Sequence, residues 1–96
     1  MELCRNEESI MLKGRLDSAS APLVQQQIEQ MVGQEPVKLV LDLAECSYVS
    51  SAGLRVFINL LRRMSSQGGS MVLTNVPDSV MTVLDMTGFS NILTIE

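Results

Sequence analysis

The sequence contains no histidine and no tryptophan, and its only aromatic residues are one tyrosine and two phenylalanines. Without histidine the chain cannot form a serine–histidine–aspartate triad, and it lacks the side chain that most often acts as a general base. It also lacks the glycine-rich motifs that bind phosphates at the start of a helix, Gly-x-x-x-x-Gly-Lys-Ser/Thr and Gly-x-Gly-x-x-Gly. These absences predict a protein that is not an enzyme and that binds no cofactor.

Positive charge and long apolar runs are also scarce. Lysine and arginine together number 7 against 11 aspartate and glutamate residues, a formal net charge of −4, so nucleic acid is not an expected partner. The longest apolar stretch, Val56–Leu61, is interrupted by Asn59 and is far shorter than the roughly 20 residues of a membrane helix. Residues 1–8 do not resemble a signal peptide. We therefore expect a cytoplasmic protein that does not insert into membranes.

Cysteine is represented only by Cys4 and Cys46. Neither has a second cysteine nearby in the sequence, so neither is predicted to ligate a metal or to act as an activated nucleophile. A disulfide between them would require an oxidising compartment, which no other feature of the sequence indicates. We expect both to be inert thiols.

The length of 96 residues predicts a single domain spanning residues 1–96. Two short segments, 2–6 and 9–14, flank the polar Asn6–Glu8 and predict a β-hairpin, and residues 14–20 form a polar connection. The first predicted helix has Pro22 in its first turn, Ser18 or Ser20 as its N-cap and Gly33 as its end. A second helix is predicted over 51–66, and a third is capped by Asn75, has Pro77 in its first turn and runs to Met86. The remaining strands are predicted over 37–43, 70–74 and 91–95.

This order, β-β-α-β-α-β-α-β, predicts an α/β fold. The sheet should be mostly parallel, with an antiparallel N-terminal hairpin and helices after each later strand. Residues 37–43 are almost continuously apolar, as expected for a strand buried on both faces. The predicted core contains Leu39, Leu41, Phe57, Leu61, Leu73 and Leu84, with Met81 and Met86 as further members.

The segment from Leu41 to Leu54 is the most informative part of the chain. It predicts a buried strand that ends at Leu43, a short loop at the carboxyl end of the sheet, and a helix that begins near Ser51. Loops in this position commonly hold functional residues, and a helix N-terminus stabilises a phosphoryl group. Ser50 and Ser51 could equally be ordinary helix caps, and Gly53 should allow the helix to pack closely on a strand.

The residues Tyr48-Val49-Ser50-Ser51-Ala52-Gly53-Leu54 resemble the signature of STAS-domain anti-sigma factor antagonists, Asp-Ser-(Ser, Thr or Ala)-Gly-Leu. The segment Gly14-Arg15-Leu16-Asp17 resembles the family's Gly-x-Leu-Asp motif. The segment from Val83 to Phe89 resembles its Leu-x-x-Met-Ser-Gly-Leu motif. The resemblance extends over nearly the whole chain, although the family's last helix would be missing or very short.

The resemblance implies that Ser51 is a phosphorylation site in a partner-switching mechanism. The unphosphorylated protein would bind an anti-sigma factor that is also a serine kinase, phosphorylation would release it, and a metal-dependent PP2C-type phosphatase would restore it. The family's aspartate is replaced here by Ser50, which removes a charge beside the acceptor. The predicted partner-binding residues are Asp17, Ser50, Ser51, Ala52, Gly53, Arg55 and Asn75. The alternative is a structural or regulatory STAS subunit of another complex, such as a lipid-transport ATPase assembly.

Several polar residues have a second interpretation. Asp17 could be only a turn residue, and Asp42 could lie near it at the carboxyl ends of the strands, although no motif supports a catalytic carboxylate pair. The three arginines of the 51–66 helix could form a solvated face or a contact stripe that leads away from Ser51; they are Arg55, Arg62 and Arg63.

Overall fold

The order of strands and helices follows the alternation of apolar and polar segments along the chain. The computed structural model describes residues 1–5 and 9–96. The strands are β1 Glu2–Arg5, β2 Ile10–Leu16, β3 Lys38–Asp42, β4 Cys46–Val49, β5 Ser70–Thr74 and β6 Thr94–Ile95. The helices are α1 Ala21–Val32, α2 Ser51–Ser66 and α3 Asp78–Thr87, and a short 3-10 helix spans Phe89–Asn91.

The sheet has the strand order β1-β2-β3-β5-β6. β1 and β2 are antiparallel, and the pairs β2–β3, β3–β5 and β5–β6 are parallel. The predicted mixed sheet with an antiparallel N-terminal pair is therefore confirmed; the turn predicted at Asn6–Glu8 lies outside the described residues. No helix within residues 1–5 and 9–96 is long and apolar enough to cross a membrane.

The strand β4 was missed by the sequence prediction, which placed a loop between β3 and α2. β4 pairs in parallel with the end of β2, where Leu16 is opposite Val49. β2 therefore continues to Leu16, beyond the predicted end at residue 14. Gly14 has a φ of 102° at an irregularity in this pairing, a conformation that favours glycine. Only the first and last of the four β4 residues are buried, so the segment has no period-two pattern.

The predicted bounds of α3 and of the last strand were also wrong. Asn75 does not cap α3; it lies in the preceding loop with a φ of 52°. Pro77 is the N-cap, and its carbonyl oxygen accepts hydrogen bonds from the third and fourth helical residues, Val80 and Met81. The last strand is shorter than predicted, because Gly88 adopts a left-handed conformation and the 3-10 helix follows it. α2 and β5 have their predicted bounds.

The core lies in one apolar cluster formed by the sheet and the three helices. Of the six leucine and phenylalanine residues predicted to be buried, all but Leu61 are buried. Leu61 is half-buried, and Leu60 and Met64 of the same helix are buried in full. The prediction for Met86 was wrong, since its side chain is 81% exposed on the outer face of α3, whereas Met81 is half-buried against the cluster.

Candidate functional site

The junction between β4 and α2 is fixed by Ser50. Its backbone is extended, with φ −86° and ψ 175°, and its hydroxyl accepts a hydrogen bond of 3.3 Å from the backbone N–H of Gly53. The Ser50 N–H donates to the carbonyl oxygen of Leu16 at 2.9 Å. Ser50 is therefore the N-cap of α2, and it attaches the start of the helix to the end of β2.

Ser51 differs from Ser50 although the two residues are adjacent. Ser51 is the first residue of α2, its side chain is exposed, and its hydroxyl has no hydrogen bond to another described residue. The first turn of α2 contains no acidic residue. The capping function thus belongs to Ser50, and the hydroxyl of Ser51 faces solvent beside the unpaired N–H groups of a helix N-terminus.

Asp17 lies in the turn between β2 and α1, directly after Leu16. Its Oδ1 atom accepts hydrogen bonds from the N–H groups of Ala19, at 3.1 Å, and Ser20, at 3.0 Å. The bond from the Ser20 N–H is the main reason that the pKa of the Asp17 carboxyl lies below its usual value, with a smaller contribution from the nearby Arg15. Asp17 is thus ionised at neutral pH and orders the turn. Ser20 has the N-cap position predicted for it, but its side chain makes no capping bond.

Leu16 joins the two halves of the candidate site. Its carbonyl oxygen accepts the Ser50 N–H, and its side chain packs against Gly53 in the first turn of α2. A Cβ atom on Gly53 would lie 2.8 Å from Leu16 Cγ and 3.0 Å from the Leu16 carbonyl oxygen. Gly53 therefore allows the close approach of helix and strand that the sequence predicted. Ala52, beside it, is half-buried.

We expect Gly53→Ala to lower the free energy of unfolding by about 1–3 kcal/mol, because the added methyl group overpacks the contact with Leu16. In an uncrowded helix the same substitution would raise stability by roughly 0.5–1 kcal/mol, since alanine has the higher helix propensity. Urea denaturation of the two proteins measures the difference. An unchanged or increased stability would show that the contact between α2 and β2 is looser than described.

Asn75 lies at a different corner of the sheet. Its side-chain amide donates to Asp42 Oδ1 at 3.2 Å, and Asp42 is opposite Met11 in the β2–β3 register. β2 continues five residues beyond Met11 to Leu16, which is roughly 16 Å of extended strand. The register thus brings Asp17, Ser50, Ser51 and the first turn of α2 together, and it places Asn75 with Asp42. The suggested proximity of Asp17 and Asp42 was wrong.

The arginines of α2 have different environments. Arg55 and Arg62 are exposed. Arg63 is half-buried, where it donates a hydrogen bond of 2.9 Å to the carbonyl oxygen of Gly33 and forms an ion pair of 3.7 Å with Glu29. Arg63 therefore attaches α2 to the C-terminal end of α1, and it belongs neither to a solvated face nor to a contact stripe.

Sequence reasoning missed a contact beside the junction. Arg15 on β2 and Tyr48 on β4 are opposite each other in the register, and the guanidinium carbon of Arg15 lies 4.3 Å from the centre of the tyrosine ring. This distance is that of a cation–π interaction. Tyr48 is 40% exposed, and it is the only tyrosine in the sequence. The contact depends on β4, and was hidden because β4 was not predicted.

The cysteines are free in the structure. Cys46 is buried on β4, and burial is the first cause of the raised pKa of its thiol; a thiol of this kind is poorly reactive. Across residues 1–5 and 9–96, no three His, Cys, Asp or Glu side chains are arranged to hold a metal ion.

Comparisons with known proteins point to one family. Residues 6–96 match the family model of the STAS domain. The anti-sigma-B factor antagonist of Listeria monocytogenes is 31% identical over 91% of this chain and 76% of its own length, and that of Bacillus subtilis is 29% identical over 95% and 83%. The structure of the anti-sigma factor antagonist SpoIIAA in its unphosphorylated form matches with a TM-score of 0.78 at 19% identity, over 99% of this chain and 86% of that one.

Proposed function

The chain belongs to the STAS-domain family of anti-sigma factor antagonists, and on this basis we propose that it regulates transcription by binding an anti-sigma factor. In this proposal it acts in the bacterial cytoplasm as a binding protein and not as an enzyme. Binding of the unphosphorylated chain sequesters the anti-sigma factor and frees the sigma factor. The names of the curated relatives support this role.

The switch in this proposal is phosphorylation of Ser51 by the anti-sigma factor, acting as a serine kinase. The observation that supports it is that the two serines at the start of α2 have different roles. Ser50 caps the helix, and the exposed Ser51 hydroxyl makes no hydrogen bond in the described part of the chain. A kinase can reach such a hydroxyl without breaking a native contact. A PP2C-type phosphatase would then remove the phosphoryl group and restore binding.

The fold should tolerate a phosphoryl group on Ser51. The unpaired N–H groups of the first turn and the partial positive charge of the helix N-terminus both stabilise an anion. The first turn of α2 itself contains no acidic side chain, and the Asp17 carboxylate of the site already accepts hydrogen bonds from the N–H groups of Ala19 and Ser20. The proposed switch therefore changes the charge of the surface and leaves the structure of the domain intact.

We expect Ser51 to be the only efficiently phosphorylated residue when the chain is incubated with its anti-sigma kinase and ATP. Ser51→Ala should abolish labelling, as measured by mass spectrometry of proteolytic peptides. Ser50→Ala is the matched control, because it removes the adjacent hydroxyl and costs about 1 kcal/mol of capping energy but leaves the acceptor in place.

Labelling of Ser50 or Ser47 in the Ser51→Ala variant would contradict the assignment of the switch. A chain that binds no anti-sigma factor but copurifies with permease and ATPase subunits would contradict the proposed function. That result would support the alternative of a STAS subunit in a lipid-transport assembly.

A further inference from the structure

The charge of α2 is opposite to that of the whole chain. Residues 51–66 contain three arginines and no aspartate or glutamate, whereas the full sequence has a formal net charge of −4. The helix dipole adds partial positive charge at the N-terminal end, where Ser51 lies. The acidic residues of the domain are therefore concentrated on other elements, and α2 carries a local excess of positive charge.

Two of the three arginines lie on the same side of α2 as Ser51. At about 100° per residue, Ser51, Arg55 and Arg62 fall within roughly 40° of one another around the helix axis. Arg63 points away from this side, to Glu29 of α1 and to Gly33, which follows the end of that helix. The side chains of Arg55 and Arg62 are thus free to meet a partner along two turns of the helix.

These two arginines have no acidic partner among the described residues. The ion pairs formed there are Lys13–Glu45, Lys38–Glu96 and Arg63–Glu29. An exposed arginine without an acidic neighbour keeps all five N–H donors available, and its planar guanidinium fits a carboxylate with two parallel hydrogen bonds.

An apolar border adjoins the arginines. Ile58 and Leu61 are half-buried. At about 100° per residue, Ile58 lies roughly 20° from Ser51, beside the arginines, and Leu61 lies further toward the core-facing side of α2. A partially exposed apolar strip beside guanidinium groups resembles the composition of protein interfaces, in which arginine is enriched. We define the arginine face as Ser51, Arg55, Ile58, Leu61 and Arg62.

We propose that the arginine face docks an acidic segment of the partner protein. This inference rests on the proposed function, in which the partner is an anti-sigma factor, and it adds the chemistry that the partner must present: aspartate or glutamate side chains beside an apolar residue. Nucleic acid fits less well, because its binding depends on clustered lysine and arginine contacts to phosphates, and two arginines on a chain of net charge −4 do not form such a cluster.

The test uses two double variants of the full chain that remove the same charge. Arg55→Gln/Arg62→Gln removes two positive charges from the arginine face, and Lys13→Gln/Lys38→Gln removes two from exposed sites on the strands. Affinity for the anti-sigma factor is measured by calorimetry at low and high salt. The arginine variant should bind about tenfold or more weakly and lose most of the salt dependence, and the lysine variant should stay within about twofold of the wild type. Equal affinities for the two variants would overturn the proposal.

A second measurement separates this inference from the proposed function. A short synthetic peptide of repeated Glu-Glu-Gly is titrated into the isotope-labelled wild type and both variants, with repeated Gln-Gln-Gly as the neutral control. Backbone NMR shifts should move at the arginine face in the wild type and the lysine variant only. If the wild type binds no anti-sigma factor but shows this response, the proposed function fails and the arginine face stands. Tighter binding of single-stranded DNA or of anionic lipid vesicles at the same residues would overturn the assignment of an acidic protein segment.

Discussion

Phosphorylation of Ser51 is expected to weaken the affinity for the anti-sigma factor by about two orders of magnitude or more. The modification adds a charge of about −1.5 to −2 at pH 7 within the proposed docking surface, at the N-terminal end of α2. A bound partner would have to desolvate this dianion or leave it unpaired, at an estimated cost of several kcal/mol. Each 1.4 kcal/mol or so corresponds to a tenfold change in affinity, so even part of this cost would release the complex.

Three variants make the expectation measurable by calorimetry. Ser51→Asp should reproduce part of the loss, and Ser51→Ala should bind constitutively in the presence of kinase and ATP. Ser79→Asp is the matched control, because Ser79 is an exposed serine in the first turn of α3 and the substitution adds the same charge to a different helix. If wild type and Ser51→Asp bound equally and both were folded by circular dichroism, Ser51 would not be the switch.

The largest losses of stability are expected from the buried side of α2 and the central strand. Leu41 and Leu60 are fully buried, so replacing either with alanine should lower the free energy of unfolding by about 2–5 kcal/mol, through lost burial and the cavity left behind. Leu61 is only half-buried, so Leu61→Ala should cost clearly less than its neighbour. Urea denaturation of the three variants measures these values. Equal losses for Leu60→Ala and Leu61→Ala would mean that α2 is rotated about its axis relative to the structure described above.

The bounds of α2 and β5 could be predicted because these segments have strong local signals. α2 alternates a polar stripe with apolar positions over 16 residues, and a glycine pair separates it from β5. β4 could not be predicted in the same way, because it is short and its stability depends on pairing with the end of β2, which no local pattern encodes. Asn75 misled the prediction because it has the residue type of a helix cap, but a proline two residues later sets the start of α3.

The candidate site could be predicted from the resemblance to the family motifs, and not from strand ends. Asp17 and Ser50 were grouped by those motifs, because β4, the strand that precedes Ser50, was not predicted. Asn75 also follows a parallel strand, but β3 ends opposite Met11, near the start of β2, and β5 ends opposite the end of β3. That offset is a property of register. The role of Arg63 depends on where α1 ends, which becomes visible only when the two helices are packed.

The spacing of Ser51 and Arg55 has a consequence for how the proposed switch would operate. The two residues are four positions apart on α2, so a phosphoryl group on Ser51 would lie within reach of the Arg55 guanidinium. The phosphoryl group would then pair with the Arg55 guanidinium, which we propose binds the partner's carboxylates in the unphosphorylated chain. In that case the modification acts as an internal competitor: it excludes the partner by occupying Arg55 as well as by repulsion. Release would require no movement of the backbone, and dephosphorylation would return a surface already shaped for binding.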